Sequence, residues 1–378
     1  MWSYRRLMRI DFRMVPVVLA LMLISLLVIA PNSVVQTPDG LLESLWTPVV
    51  KSQIKWFVLG SLVFGFFAGF DYHKLREWTW VLYALMLFLL VGLFFTDSIQ
   101  RVHRWYRVPI LGMSFQPSEY AKLIVVISLS WFLERKKATA ESWTTALQAA
   151  VIVGVPFLLI LKQPDLGTAL VLYPITLVMF YFGNVRPSII KAMSWAGGAL
   201  LIVVALLFLN IVPHDTARPY ATLLLKDYQF DRLDPDTHHQ RAAATAIAVG
   251  GVAGTGWGKS EYTGGGWLPA PYTDSVFPAF GEEFGFLGLL LLLLLLYALI
   301  YFSFQVTAVA KDHFGRLLSA GVSVYLAMHI LVNIGMMCGF LPITGVPLVL
   351  VTYGGSSVLC TMTALGILQS IYSRRFMF

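Results

Sequence analysis

The chain has 378 residues, of which 58% are hydrophobic and only 12% charged, with a formal net charge of +7. Soluble domains carry roughly 25% charged residues, so a water-soluble globule of this composition would aggregate, and an integral membrane protein is expected. The positive balance does not point to nucleic acid, because Lys and Arg are scattered through short segments bordering apolar runs, where positive charge has a topological cause.

A helix needs about 20 mostly apolar residues to cross the hydrocarbon core. Ten such runs occur, at 14–30, 53–71, 78–96, 118–134, 145–161, 167–183, 190–212, 286–306, 316–337 and 348–370. They are continuously apolar, as from Leu289 to Leu296, rather than alternating, which selects helices over a barrel and predicts an all-α fold of about ten transmembrane helices. The first run follows Arg5, Arg6, Arg9 and Arg13 like a secretory signal, but it is long enough to span and lacks a small-residue cleavage site. It is read as a retained anchor. Cys338 and Cys360 lie in or beside apolar segments without metal-binding spacing and are expected to be packing residues.

Alternate connecting segments place fifteen Lys and Arg on the side of both termini and eleven on the other, with Lys122 inside a span. The positive-inside rule therefore predicts cytoplasmic termini. The outer excess is concentrated at 97–117, with Arg101, Arg104 and Arg107, and at 213–285. Positive residues set against the topological trend suggest a negatively charged ligand outside. No soluble domain, repeat or low-complexity linker is visible, so residues 1–378 form one membrane domain with one large extracytoplasmic loop, 213–285, between the seventh and eighth helices. That loop mixes Gly250, Gly251, Gly254, Gly256, Gly258 and Gly264 to Gly266 with Trp257, Trp267 and Tyr272, and part of it is expected to be ordered at the membrane surface.

Four segments carry candidate chemistry. In Gln116-Pro117-Ser118-Glu119-Tyr120-Ala121-Lys122, Pro117 suits a first helical turn, and the three-residue spacing puts Glu119 and Lys122 on one face. Charges inside spans pair with each other or face a polar cavity. The pair reads either as a helix fastener or as a site whose Lys122 neutralises a phosphate. In Gln163-Pro164-Asp165-Leu166-Gly167-Thr168, Asp165 reads as a helix cap in preference to a ligand for a metal or a basic group. Asp274 lies between aromatic and apolar residues shortly before Glu282 and Glu283, an environment that can prepare a carboxylate as a general base, although a turn cap is the plainer role. Gly339, Pro342, Gly345, Pro347, Gly354 and Gly355 break the apolar pattern near the end, and irregular backbone at membrane depth is tolerated where it lines a cavity.

His238 and His239 lack zinc-ligand partners. A weak divalent-cation site, for Mg2+ or Mn2+, using Asp or Glu oxygens and a substrate phosphate is compatible with the chain. Gly256-Trp257-Gly258-Lys259-Ser260 lacks the glycine spacing of a phosphate-binding loop, so no ATP use is expected.

Gln-Pro-Ser-Glu with Ala-Lys at 116–122, Gln-Pro-Asp-Leu-Gly-Thr at 163–168, Thr-Asp at 273–274 followed by Glu-Glu-Phe-Gly, and Tyr-Gly-Gly-Ser at 353–356 together resemble the SEDS (shape, elongation, division and sporulation) family. The ordered set covers nearly the whole chain. Leu225-Lys226-Asp227-Tyr228-Gln229 with Arg232-Leu233-Asp234-Pro235 is similar to the RodA branch rather than the FtsW branch. The chain departs from the family at Gln240-Arg241, usually Gln-Ser, and at 348–352, which lacks a second proline.

The resemblance implies a peptidoglycan glycosyltransferase of the bacterial cytoplasmic membrane that joins lipid II into glycan strands, working with a class B penicillin-binding protein. It implies Asp274 as the essential outer aspartate, Glu119 and Lys122 as the polar pair of the central cavity, and Arg104 of the Arg-Trp motif as a substrate contact, with Arg101 beside it. Two rivals stay open: a lipid-precursor flippase or other transporter, and a non-catalytic cell-wall scaffold.

Overall fold

The computed structural model describes residues 9–34, 45–96, 104–108, 113–163, 165–208, 211–222, 230–234 and 237–375. In chain order the helices are α1 (Met14–Asn32), α2 (Pro48–Gly69), α3 (His73–Gly92), α4 (Pro117–Arg135), α5 (Trp143–Lys162), α6 (Leu166–Phe182) and α7 (Pro187–Phe208). There follow the short α8 (His214–Ala221), α9 (His238–Gly250) and α10 (Glu261–Gly264), then α11 (Val276–Val309), α12 (His313–Met337) and α13 (Gly355–Ser373). The fold is nearly all helical, as expected, with one short exception. Residues Tyr106–Val108 (β1) and Met113–Phe115 (β2) form an antiparallel ribbon, pairing Tyr106 with Phe115. It leads directly into α4.

Local chemistry explains several helix starts. Thr47, Ser142, Asp165, Thr237 and Asp312 each accept a backbone N–H from the first turn of the helix that follows. Pro48 and Pro117 occupy first-turn positions where a missing N–H costs nothing. The last helix begins at Gly355, not at 348, because the chain from Gly345 to Gly354 is held irregular by Pro347, by Leu350 at φ 61° and by tertiary hydrogen bonds.

Among the described residues, seven helices are long and apolar enough to cross a membrane: α1, α2, α3 with its 3-10 extension to Phe95, α5, α7, α11 and α12; α6 is apolar but shorter. α4 and α13 have the length but not the composition. α4 buries Ser118, Glu119, Lys122, Ser128 and Ser130; α13 buries Thr361, Thr363, Gln369 and Ser370. Both lie against protein, α13 on α2, and α4 on α3, α12 and α5, so their polar groups do not meet lipid.

α11 breaks at Gly285, whose φ is 62°. The break frees backbone groups that the Gly-rich stretch after α9 takes up. Thr255 N–H and Gly256 N–H donate to the carbonyls of Glu282 and Glu283, while Phe286 N–H and Leu287 N–H donate to those of Gly251 and Val252. Such rescue is what makes a broken helix tolerable away from water.

Candidate active site

One cavity of about 830 Å3 gathers the motifs that the sequence singles out. Its walls come from the start of α2 (Ser52, Trp56), Arg104 and Trp105, the start of α4 (Gln116, Glu119), Thr237 and His239 at α9, Thr273 and Asp274, and the irregular segment Ile343–Ser357. It sits at one end of the bundle. The opposite end of α4 carries Glu134, paired with Arg76 at 2.9 Å, where Asp71, His73, Asp312 and Arg374 also cluster. The segment before α1 meets the last turns of α13 there too, as Asp11 N–H donates to Gln369 Oε1 at 2.7 Å.

Asp274 is held by its backbone. Its carbonyl accepts Asn333 Nδ2 at 3.2 Å, Thr273 O accepts Thr352 Oγ1 at 3.0 Å, and Tyr272 O accepts Tyr353 N–H at 2.9 Å. The same Asn333 nitrogen donates to Val346 O at 2.8 Å, stitching the aspartate segment to the irregular wall. Gly345, at φ 73°, is close enough that an added Cβ would lie 3.4 Å from Asp274 Oδ2. Across Tyr-Gly-Gly-Ser, a Cβ on Gly355 would fall 2.5 Å from the Trp56 ring, so only glycine lets that indole line the cavity.

Glu119 is 4% exposed and lines the cavity, whereas Lys122, 1% exposed, lies one layer behind it and does not. Lys122 Nζ donates to Glu119 Oε1 at 2.7 Å, contacts His329 Nε2 at 2.7 Å and stands 5.5 Å over the Tyr325 ring. His329 Nδ1 faces Pro347 O at 3.4 Å, so its Nε2 accepts from the ammonium. Glu119 Oε2 has no hydrogen-bond partner among the described residues. The ion pair is thus both a fastener and a cavity element. Arg104 joins the site with Nε donating to Gln163 O at 3.2 Å. Arg101, the other expected cation, lies outside the described residues.

Asp165 is a structural hub. Its carboxylate accepts Thr168 N–H and Oγ1, Ser118 Oγ and Gln116 Nε2, locking the two Gln-Pro motifs together. Glu282, fully buried, accepts Tyr262 N–H, Thr263 N–H and Thr263 Oγ1 and so caps α10. No three of His, Cys, Asp and Glu come together as a metal cluster among the described residues. The cavity carboxylates Glu119, Asp231 and Asp274 come from separate elements.

The pattern model of the FtsW, RodA and SpoVE cell cycle proteins matches residues 12–375. The chain belongs to this family. The peptidoglycan glycosyltransferase MrdB of Escherichia coli strain K12 is 31% identical over 334 residues, 87% of each chain. A structure titled as showing structural coordination of polymerization and crosslinking by a peptidoglycan synthase complex contains a chain 26% identical. It matches at TM-score 0.76 over 98% of this chain and 99% of that one. The rod shape determining protein RodA of Thermus thermophilus, 24% identical over 97% of this chain and 98% of its own, shares the fold at TM-score 0.70.

In this RodA-like member of the FtsW/RodA/SpoVE family, sequence reasoning missed His239, Asn333 and His329 as parts of the site. His329 and Asn333 carry a legible signal: two polar residues four apart in the largely apolar second half of a helix share one face and need a polar partner. His239 carries none, because its neighbours in the chain are polar as well. Burial, with His238 beside it, holds the His239 imidazole below its ordinary value, so the ring is neutral at neutral pH.

Proposed function

We propose that the chain is a peptidoglycan glycosyltransferase that polymerises lipid II into β-1,4-linked strands at the outer face of the bacterial cytoplasmic membrane, for cell elongation and shape. The observation that carries this reading is one cavity, at the end of the bundle away from the Asp11–Gln369 contact, lined by Asp274, Glu119 and Arg104 together. The proposed topology has ten crossings, with α4 and α13 as the inner ones, both termini cytoplasmic, and residues 213–285 outside. The working partner is a class B penicillin-binding protein, in line with the synthase complex to which the fold is similar.

In the reaction, the acceptor's sugar 4-hydroxyl attacks the anomeric carbon of the donor as Asp274 takes its proton. The new C–O bond forms as the bond to the diphosphate breaks, and polyprenyl diphosphate leaves with the electron pair. Attack from the opposite face inverts the α-linked donor to a β link. Charge grows on the leaving oxygen, so a cation beside it stabilises the transition state more than the ground state. Arg104 supplies that cation from the cavity wall, with Arg101 as the second candidate. Lys122 acts from behind, holding Glu119 Oε1 and so fixing that carboxylate at the cavity wall. The bond energy resides in the diphosphate, so no nucleotide is needed.

The deciding experiment is polymerisation of purified lipid II by the isolated chain and by Asp274→Ala. The variant should insert and fold but form no polymer. Substantial residual polymer from it would remove Asp274 from the base role, and no polymer from the wild-type chain would favour a scaffold or transporter.

A further inference from the structure

His239 has no part in the reaction as written, yet it stands on the cavity wall beside the proposed base. It is the second residue of α9, half-buried, and its Nε2 lies 2.6 Å from Ser275 Oγ. Ser275 is fully buried and directly follows Asp274. The ties that hold 272–274 through Asn333, Thr352 and Tyr353 come from α12 and from the segment before α13. The bond from His239 comes from α9, a different element, packed chiefly on α11.

We propose that His239 is a positioning residue for the transfer reaction: its hydrogen bond to Ser275 fixes the α9 side of the backbone that carries Asp274, so that the carboxylate is set from two directions. A base whose backbone is held on one side only can turn away from the acceptor hydroxyl, and a misplacement of about 1 Å can cost on the order of 100-fold in rate. The bond also ties α9, which belongs to the long outer segment, to the reacting centre. The charged and titratable groups sharing this space are His238 on its own helix and Arg104, Glu119, Asp231 and Asp274 on the cavity wall. The inference rests on the base role of Asp274.

The test uses the full chain and lipid II, with kcat and KM measured for His239→Ala, Ser275→Ala, the double variant and His239→Gln. Each alanine variant should lose about ten- to a hundredfold in kcat with KM within about twofold. The double variant should be no worse than the poorer single one, because both remove one bond. His239→Gln, which can still reach Ser275, should regain part of the loss. Wild-type kcat in Ser275→Ala, additive losses in the double variant, or a rise in KM alone in His239→Ala would each overturn the proposal. Should His239→Ala fail to fold, Ser275→Ala and His239→Gln decide it. Asp274→Ala run in parallel separates the two failures: activity there defeats the base role itself, while an inactive Asp274→Ala beside unaffected Ser275→Ala defeats only the positioning role of His239.

Discussion

Glu119 and Lys122 are one helical turn apart, and the packing around α4 puts the ammonium deeper than the acid it serves. Taking two charges out of water is costly, and the cost is offset here by close contact, by the His329 ring and by the Tyr325 face. Removing one partner leaves the other buried and unpaired. Lys122→Ala should therefore destabilise the protein by about 3–5 kcal/mol, seen as a lower melting midpoint in detergent, and should slow polymerisation as well. Glu119→Gln with Lys122→Met together should recover much of the stability without recovering activity. A Lys122→Ala protein of unchanged melting point would contradict the ion-pair account. The local half of this arrangement is legible in sequence, because Glu119 and Lys122 share a helix face. The other half is not, since His329 is 207 residues away along the chain.

At the scale of elements, the broken helix α11 and the Gly-rich stretch after α9 behave as one unit. A Cβ at Gly250 would lie 2.0 Å from Gly281 O, and one at Gly254 would lie 2.2 Å from Glu283 O, with φ at +85° besides. These are contacts with backbone, which has nowhere to move. Gly254→Ala should push α9 away from α11, lowering both the melting midpoint and polymerisation. Gly198, inside α7 with nothing within 4 Å of an added Cβ, is the control. Gly198→Ala should leave activity unchanged and stabilise by about 0.4–1 kcal/mol through the unfolded chain. Equal effects of the two substitutions would show that helix propensity, not the close approach, governs the Gly254 site.

For the whole molecule, the two ends of the bundle differ in kind. One end holds ion pairs that pin the loops between helices, including Arg76 with Glu134 and Arg374 with Asp71, together with Tyr72 donating to Asp312. The other end holds the cavity. Cys338, just past the end of α12, is exposed, and Cys360 is buried in α13. Both α12 and the cavity segments thereby provide a test of sidedness. A membrane-impermeant maleimide added outside intact cells should label Cys338 and not Cys360, and Cys360 should react only after denaturation. The thiolate is the reactive form, so labelling should quicken as pH rises. Labelling of Cys338 only from the cytosolic side would invert the proposed topology and, with it, the outer location of Asp274.

The sequence by itself determined the apolar helices, the cap at Asp165 and the list of motifs that matter, because these depend on contiguous stretches: a lipid-crossing helix satisfies its own backbone, and a cap reaches only three residues. It also carried the family, through the order of four short motifs. Tertiary structure alone decided that Asp165 locks two of those motifs together, that Lys122 stands behind Glu119 rather than on the cavity, that α11 breaks at Gly285, and that His239 meets Ser275. Each of these joins segments distant in the chain. Side-chain type and spacing cannot specify such meetings, which follow from how whole helices pack.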